Sequence, residues 1–298
     1  MMIKKNFTFP ASRVGLLAIL TFILLTMLPV TSAFAGRLLS LFRVKQLVVL
    51  PIESAGYENN TAFGSQLSNL FSSSTIVIKA PADMVVVNNV VEAKEAAGFD
   101  VRLPLVFPST YISVYDSGSY LMKVDRRKVQ GFLDEFNHSD LVLPENVDGA
   151  EISFRISTAV RAAYGTCPDP MVNIPNSAAY TNCIIFSQTP SPVVEVPDDL
   201  DMEKLAQIGL EFFGLSPEEA EAFNSSVDWT TTLVIPIPLN SANYTDVVVD
   251  DVIGKLIRRE DSDPQKYVLL WVKGDVIYFI AGTGTDISRA VEIAESLP

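Results

Sequence analysis

The sequence has few of the residues on which enzymes and metalloproteins rely. It contains one histidine and two cysteines among 298 residues, too few to assemble a structural zinc site. The histidine, His138, is followed directly by Ser139 and Asp140, and adjacent residues cannot orient on one another as a catalytic triad requires. No Gly-x-Ser-x-Gly nucleophile motif occurs. The sequence therefore predicts no catalytic residue and no metal site.

Positive charge is also scarce. The chain has 22 Lys and Arg against 35 Asp and Glu, for a net charge of −13. A surface of this sign repels phosphate backbones, which excludes general nucleic-acid binding. Residues 282–284 follow a strand-like run and precede a helix, as a phosphate loop does, but the P-loop lysine is missing and Asp286 disfavours phosphate. We expect a helix cap there and no cofactor.

One long apolar segment is present, at residues 14–35, after a short tail at residues 1–13. It can be a signal peptide, because Ala33-Phe34-Ala35 supplies the A-x-A exit and cleavage would leave Gly36 first. It can equally be an uncleaved transmembrane helix, because about 20 apolar residues span a bilayer. We favour the anchor and an extracytoplasmic domain at residues 45–298. A secreted or periplasmic product remains the alternative, and basic residues on both flanks leave the inverted orientation open.

The two cysteines, Cys167 and Cys183, flank a polar, proline-rich stretch between two strand-like runs. In an oxidising compartment they are predicted to form a disulfide that closes this stretch, with a stabilisation of about 3 kcal/mol. The alternative is two unpaired thiols, one at each strand end.

Hydrophobic patterns and turn residues predict an α+β fold, with an antiparallel sheet and helices on one side. Tyr111–Asp125 is predicted to form a hairpin around Ser117-Gly118, and a second hairpin turns at Gly274-Asp275. Thr189–Pro197, with three prolines, is the predicted linker. Prolines 236 and 238 place the strand Trp229–Ile237 at a sheet edge. Further strands are predicted at Leu47–Ile52, Thr75–Ile78, Met84–Val87, Ala150–Tyr164, Ile184–Gln188, Val247–Val249, Ile253–Arg258, Tyr267–Val272 and Val276–Ile280.

Capping residues and apolar periodicity mark the helices. They are predicted at Val90–Ala97, Arg126–Phe136, Asp201–Phe213, from Ser216-Pro217 onward, and at Asp286–Leu297. Two acidic groups, Asp250-Asp251 and Glu260–Asp263, do not match a calcium-loop spacing. We interpret them as turn-forming and solubilising residues.

Three stretches resemble the extracytoplasmic domains of membrane-anchored anti-sigma factors and their relatives. They are Ala96–Tyr111, Asp228–Pro238, and the terminal hairpin and helix from Leu270 to Leu297. The resemblance implies the fold of periplasmic lipoprotein carriers and sigma-factor regulators, in which helices close one side of a curved antiparallel sheet around an apolar cavity. Those anti-sigma factors bind sigma with a cytoplasmic domain. Residues 1–13 are too few to form one, so the resemblance extends only to the exported domain.

The functional expectation is a non-enzymatic, membrane-tethered module that senses or binds an apolar ligand or an envelope protein. The alternative is a carrier of a lipid or lipoprotein acyl chain, and an enzyme is the third choice. Strands Tyr111–Tyr115, Tyr120–Val124 and Val268–Val272 are apolar on both faces, so the second face needs cover. A ligand groove or the loop Pro168–Asn182 can supply it. A cavity smaller than about 300 Å³ favours the filled face.

Overall fold

A computed structural model describes residues 40–52, 61–104, 106–168, 182–240, 242–260 and 262–298. The tail, the apolar segment at residues 14–35, and the cleavage position between Ala35 and Gly36 lie outside these ranges. Within them, none of the helices combines the length and the apolar character that crossing a bilayer requires.

The described residues form fifteen strands and six α-helices. The strands are β1 Ser40–Phe42, β2 Gln46–Ile52, β3 Thr75–Lys79, β4 Val85–Val87, β5 Tyr111–Tyr115, β6 Gly118–Lys123, β7 Glu151–Ile156, β8 Ala159–Gly165, β9 Cys183–Pro190, β10 Val193–Val196, β11 Thr232–Pro238, β12 Ala242–Val249, β13 Val252–Arg259, β14 Lys266–Lys273 and β15 Val276–Thr283. The helices are α1 Thr61–Ser74, α2 Val90–Ala97, α3 Arg126–Glu135, α4 Met202–Phe212, α5 Pro217–Ser226 and α6 Ile287–Glu295, with a 3₁₀ turn at Glu145–Val147.

Most strands belong to two antiparallel sheets. One has five strands in the order β1-β10-β7-β6-β3, and the other has eight in the order β12-β13-β14-β15-β9-β8-β5-β4. A separate ladder joins β2 and β11 in parallel, from Gln46 opposite Thr232 to Ile52 opposite Pro238. The predicted α+β class with mostly antiparallel pairing is therefore confirmed. In the part of the chain that the structure describes, β11 pairs only with β2, as expected of an edge strand with two prolines. The parallel ladder was not predicted.

Three consecutive strand pairs pass from one sheet into the other. β5 and β6, β7 and β8, and β9 and β10 are each separated by two residues, and the members of each pair lie in different sheets. The neighbour order is the same on both sides of the break: β9-β8-β5-β4 in one sheet corresponds to β10-β7-β6-β3 in the other. Each strand and its continuation in the other sheet therefore occupy corresponding positions in the two strand orders.

Three sequence predictions are wrong at these crossings. Tyr111–Asp125 is not a hairpin, because β5 pairs with β4 and β8 whereas β6 pairs with β3 and β7. Ala150–Tyr164 is two strands, and Thr189–Pro197 holds the end of β9 and all of β10. Residues 116–117 and 191–192 are of the Asp, Ser and Pro types that favour chain reversal. Here the same types interrupt a strand without reversing it.

The protein has two main hydrophobic cores. One lies with the five-stranded sheet and helices α1, α3, α4 and α5, and we call these elements the five-stranded half. The other lies with the eight-stranded sheet and helices α2 and α6, the eight-stranded half. Strand β14 contributes to both cores, since Leu269 and Trp271 belong to the second while Leu270 and Val272 pack against the first. The protein itself therefore covers both faces of this strand.

Local signals placed most helices correctly. Asn89 caps α2 by accepting from the backbone N–H groups of Val91 and Glu92, and Gly98 ends it in the left-handed conformation. Ser216 and Glu219 form the capping box of α5. The terminal hairpin turns at Gly274 and Asp275, both with positive φ. In α6, Ala290 and Ala294 are buried against the sheet, as the spacing predicted.

Candidate functional site

An apolar cavity of about 90 Å³ lies within the five-stranded half. Strands β6 and β7 form one side of it, and helices α1, α3 and α4 form the other. Apart from Ser74 and Gly209, every lining residue has an apolar side chain. The lining residues are Leu70, Phe71, Ser74, Met122, Val124, Val129, Leu133, Leu143, Val147, Ile152, Leu200, Leu205, Ile208, Gly209 and Phe212.

Helical spacing directs these side chains into one volume. In α4, Leu205, Ile208 and Phe212 follow one another at intervals of three and four residues, so they share a face. Gly209 lies on the same face and has no side chain to fill the space. In α3, Val129 and Leu133 are four residues apart and face the same cavity. The apolar stripe of each helix therefore explains why the wall lacks charge.

Polar side chains of α3 fix the loop that forms another part of the wall. The amide of Gln130 donates to the carbonyl of Leu141 at 3.0 Å and accepts from the N–H of Leu143 at 3.0 Å. Arg126 donates through Nε to the Leu143 carbonyl at 2.9 Å. These bonds satisfy loop backbone groups that would otherwise be costly next to an apolar space. They hold Leu143 in place as a cavity wall.

The size of the cavity bears on whether the second face of the sheet forms a ligand groove or is covered by the protein itself, which the sequence left open. Ligand pockets occupy about 300–1,000 Å³, and an apolar cavity that binds benzene measures about 150 Å³. A volume of about 90 Å³ accommodates only a narrow group of a few carbon atoms. This volume is below that of a large ligand groove, and the two cores cover both faces of β14. Residues 169–181 of the loop that was expected as the alternative cover lie outside the described residues.

The second candidate is a buried ion-pair cluster in the eight-stranded half, formed by Arg102, Asp250 and Lys273. Arg102 donates both Nη groups to the Asp250 carboxylate, at 2.7 and 2.8 Å. Lys273 Nζ donates to Asp250 Oδ1 at 2.7 Å, and Trp271 Nε1 donates to Oδ2 at 3.3 Å. The Asp250 side chain is only 5% exposed. Its charge is therefore compensated by Arg102 and Lys273, whose side chains are 18 and 35% exposed, and it also accepts a hydrogen bond from the neutral indole.

The electrostatics of this cluster indicate a structural role. Burial opposes ionisation of Asp250, but the hydrogen bonds from Arg102, Lys273 and Trp271 outweigh it and keep its pKa below the ordinary value. The hydrogen bond to Asp250 likewise raises the pKa of Lys273. A carboxylate that stays ionised and fully engaged is neither a general acid nor a free metal ligand. The cluster joins the segment after α2 to the β12–β13 turn and to β14.

Sequence reasoning missed this cluster. Asp250 and Asp251 both have positive φ and do form the predicted turn, but only Asp251 is solvent-exposed. The partners of Asp250 are 148 and 23 residues away in the sequence. No local pattern connects them. The other acidic group is partly outside the described residues, and its Glu260 accepts from Asn243 at 2.7 Å.

The remaining predicted positions have definite outcomes. Cys167 and Cys183 form a disulfide with their α-carbons 4.9 Å apart, which confirms the pairing. His138 follows α3, and its ring lies 4.9 Å from that of Phe212. Asp286 caps α6 by accepting from the N–H of Ser288, as expected of a helix cap. Among the described residues, no three His, Cys, Asp or Glu side chains cluster closely enough to bind a metal ion.

Comparison with known proteins gives no match: no family model fits the sequence, and no curated protein or solved structure is significantly similar.

Proposed function

We propose that this protein is a non-enzymatic, membrane-tethered extracytoplasmic module that binds the end of an apolar ligand. The cavity of the five-stranded half is the proposed site, and the single observation that carries the proposal is its wall, in which Ser74 is the one polar side chain among the described lining residues. Since no charged side chain lines it, an inserted charge would go unpaired at a cost of several kcal/mol. The inserted group is therefore uncharged. The volume restricts it to an alkyl terminus or one apolar side chain of an envelope protein.

The proposed architecture is one curved antiparallel sheet in two halves, with helices closed over it. Support comes from the three strand pairs that cross between the sheets with their neighbour order retained. The resemblance of Ala96–Tyr111 and of the terminal hairpin and helix to extracytoplasmic domains of anti-sigma factors agrees with this arrangement. In this proposal the apolar segment at residues 14–35 is the anchor, and the disulfide is formed in an oxidising compartment.

A carrier of lipid or lipoprotein acyl chains, released by cleavage after Ala35, is the second candidate. The same cavity supports it, together with the A-x-A sequence before Gly36. N-terminal sequencing of the protein from membrane and soluble fractions separates the two. An intact N-terminus in the membrane supports the tethered module, whereas a soluble chain that begins at Gly36 supports the carrier.

Ligand binding is tested by mass spectrometry of solvent extracts from the purified full-length protein. We expect a co-purifying apolar molecule in the native protein and its loss in Gly209→Leu, which places a side chain in the cavity. Gly131→Leu is the matched control, because Gly131 is an exposed glycine in α3 with no atom within 4 Å of an added Cβ. Equal ligand content in the two variants, or none in the native protein, would contradict binding in this cavity.

A further inference from the structure

Strand β3 forms an open edge of the five-stranded sheet. It pairs with β6 on one side, and among the described residues no strand lies along its other side. An unpaired edge presents backbone N–H and C=O groups that pair readily with another extended strand. The geometry of this edge therefore specifies the shape of its partner, which is a β-strand.

The side chains of β3 are exposed on both faces. Ile76, Val77 and Ile78 are 54, 54 and 64% exposed, and consecutive strand residues point to opposite faces. Among the described residues, no hydrophobic core packs on either face of β3, in contrast to β10, where Val194 and Val196 are buried. Three neighbouring exposed β-branched residues at an open edge are typical of an interaction surface.

The usable length of the edge is limited at its C-terminal end. The pairing register with β6 shifts between Val77 and Lys79, and Pro81 has no N–H to donate. Lys79 is held by Asp116 at 3.3 Å and by Ser117 at 2.9 Å. A regular partner strand therefore pairs along Thr75–Val77, before this irregularity, and does not continue to β4.

The charge distribution around β3 favours a second copy of the same chain. The protein carries a net charge of −13, yet residues 61–82 contain no Asp or Glu and a single charge, on Lys79. Two acidic molecules therefore approach one another at this edge with less repulsion than elsewhere on a uniformly acidic surface. An acidic surface at this edge would have opposed self-association.

We propose that β3 pairs antiparallel with β3 of a second copy along the regular residues Thr75–Val77, with the two-fold axis at Ile76. In this register Ile76 faces Ile76 of the second copy, and Thr75 faces Val77 on both sides of the axis. Cross-strand pairs of β-branched residues stabilise antiparallel sheets. Lys79 lies beyond these paired residues, so no like charges oppose one another. The sequence of β3 thus fits its own copy.

The test is intermolecular disulfide formation by Ile76→Cys in the full-length protein in membranes. The native cysteines are bonded to each other, so the new thiol is the only free one. At a two-fold axis the paired α-carbons lie about 4.5–5.5 Å apart, within disulfide range. We expect at least tenfold faster dimer formation under mild oxidation than for Val142→Cys, a control residue that is 60% exposed outside the strands.

A second pair of variants tests the register. Thr75→Cys mixed with Val77→Cys should cross-link faster than either variant alone, since these positions face each other across the axis. Ile76→Cys dimerisation no faster than that of Val142→Cys overturns the proposal. A cross-linked product whose mass is not twice that of the chain also overturns it, because the thiol at the edge then meets another protein.

Discussion

The two halves of the molecule are stabilised in different ways. In the eight-stranded half, Trp271 stacks on Tyr278 with ring centroids 5.2 Å apart, and the indole also donates to the buried Asp250. In the five-stranded half, aliphatic and phenylalanine side chains surround a cavity with no ionic group in its wall. The eight-stranded half thus has a buried ion pair within its core. The five-stranded half has apolar contacts around its cavity, and its polar bonds lie at the loop that holds Leu143.

This difference indicates where the protein tolerates change. A buried carboxylate with several donors permits few alternative arrangements, because each lost bond leaves a buried charge unpaired. An apolar wall beside an empty volume can adjust its rotamers at little cost. We therefore expect the eight-stranded half to tolerate substitutions less well than the residues that line the cavity.

The largest effect is expected from Trp271→Ala. The side chain is fully buried, so its removal should lower the free energy of unfolding by about 4 kcal/mol. Leu269→Ala, also fully buried in the eight-stranded half, should cost about 4 kcal/mol, whereas Leu133→Ala at the cavity should cost about 2 kcal/mol, since part of that side chain already faces empty space. Urea denaturation measures these losses. Equal losses for the two leucine variants would refute the contrast between the two halves.

The disulfide should contribute nearly as much to the free energy of unfolding as the Trp271 side chain. Replacing Cys167 and Cys183 by serine removes a cross-link between residues 16 positions apart and should destabilise the protein by about 3 kcal/mol. The denaturation midpoint of the native protein should shift in the same way on adding a reductant. The serine variant, which has no disulfide to reduce, is the control for effects of the reductant itself.

Asp250→Asn tests the ion-pair cluster and its pH dependence. The substitution keeps a residue that tolerates positive φ but leaves Arg102 and Lys273 without their anion, at a cost of about 2–3 kcal/mol at neutral pH. Because the pKa of Asp250 is lower in the folded protein, its stabilisation is complete above the unfolded value near pH 4 and declines as the pH falls below that.

Thermal unfolding between pH 7 and pH 3 checks this expectation. The native protein and Asp250→Asn should converge in stability toward the acidic end. The control is Asp251→Asn, which also has positive φ but carries a side chain that is 97% exposed. It should change stability by less than about 0.5 kcal/mol. If the stabilities of the native protein and Asp250→Asn differ by the same amount at every pH down to 3, ionisation of Asp250 does not account for the difference.

The accuracy of the sequence predictions follows the range of the interactions involved. The caps at Asn89 and Ser216 and the turn at Gly274-Asp275 depend on neighbours within four residues, and all were predicted. The strands of Tyr111–Asp125 were found, but their partners were wrong, because polar residues at a crossing resemble those of a hairpin turn. The Arg102–Asp250 pair depends on residues 148 positions apart, and no local pattern in a single sequence predicts that contact.

The smallest effect comes from Gly209→Ala, which tests whether the cavity is empty in solution. Replacing an exposed helical glycine by alanine stabilises a helix by up to about 1 kcal/mol, so Gly131→Ala in α3 measures this contribution alone. At Gly209 the added methyl also enters the apolar cavity, which should contribute roughly a further 0.8 kcal/mol. The difference between the two variants in urea denaturation isolates the cavity. If Gly209→Ala gains no more than Gly131→Ala, the space is already occupied or closed, and the greater tolerance expected of the cavity-lining residues loses its main support.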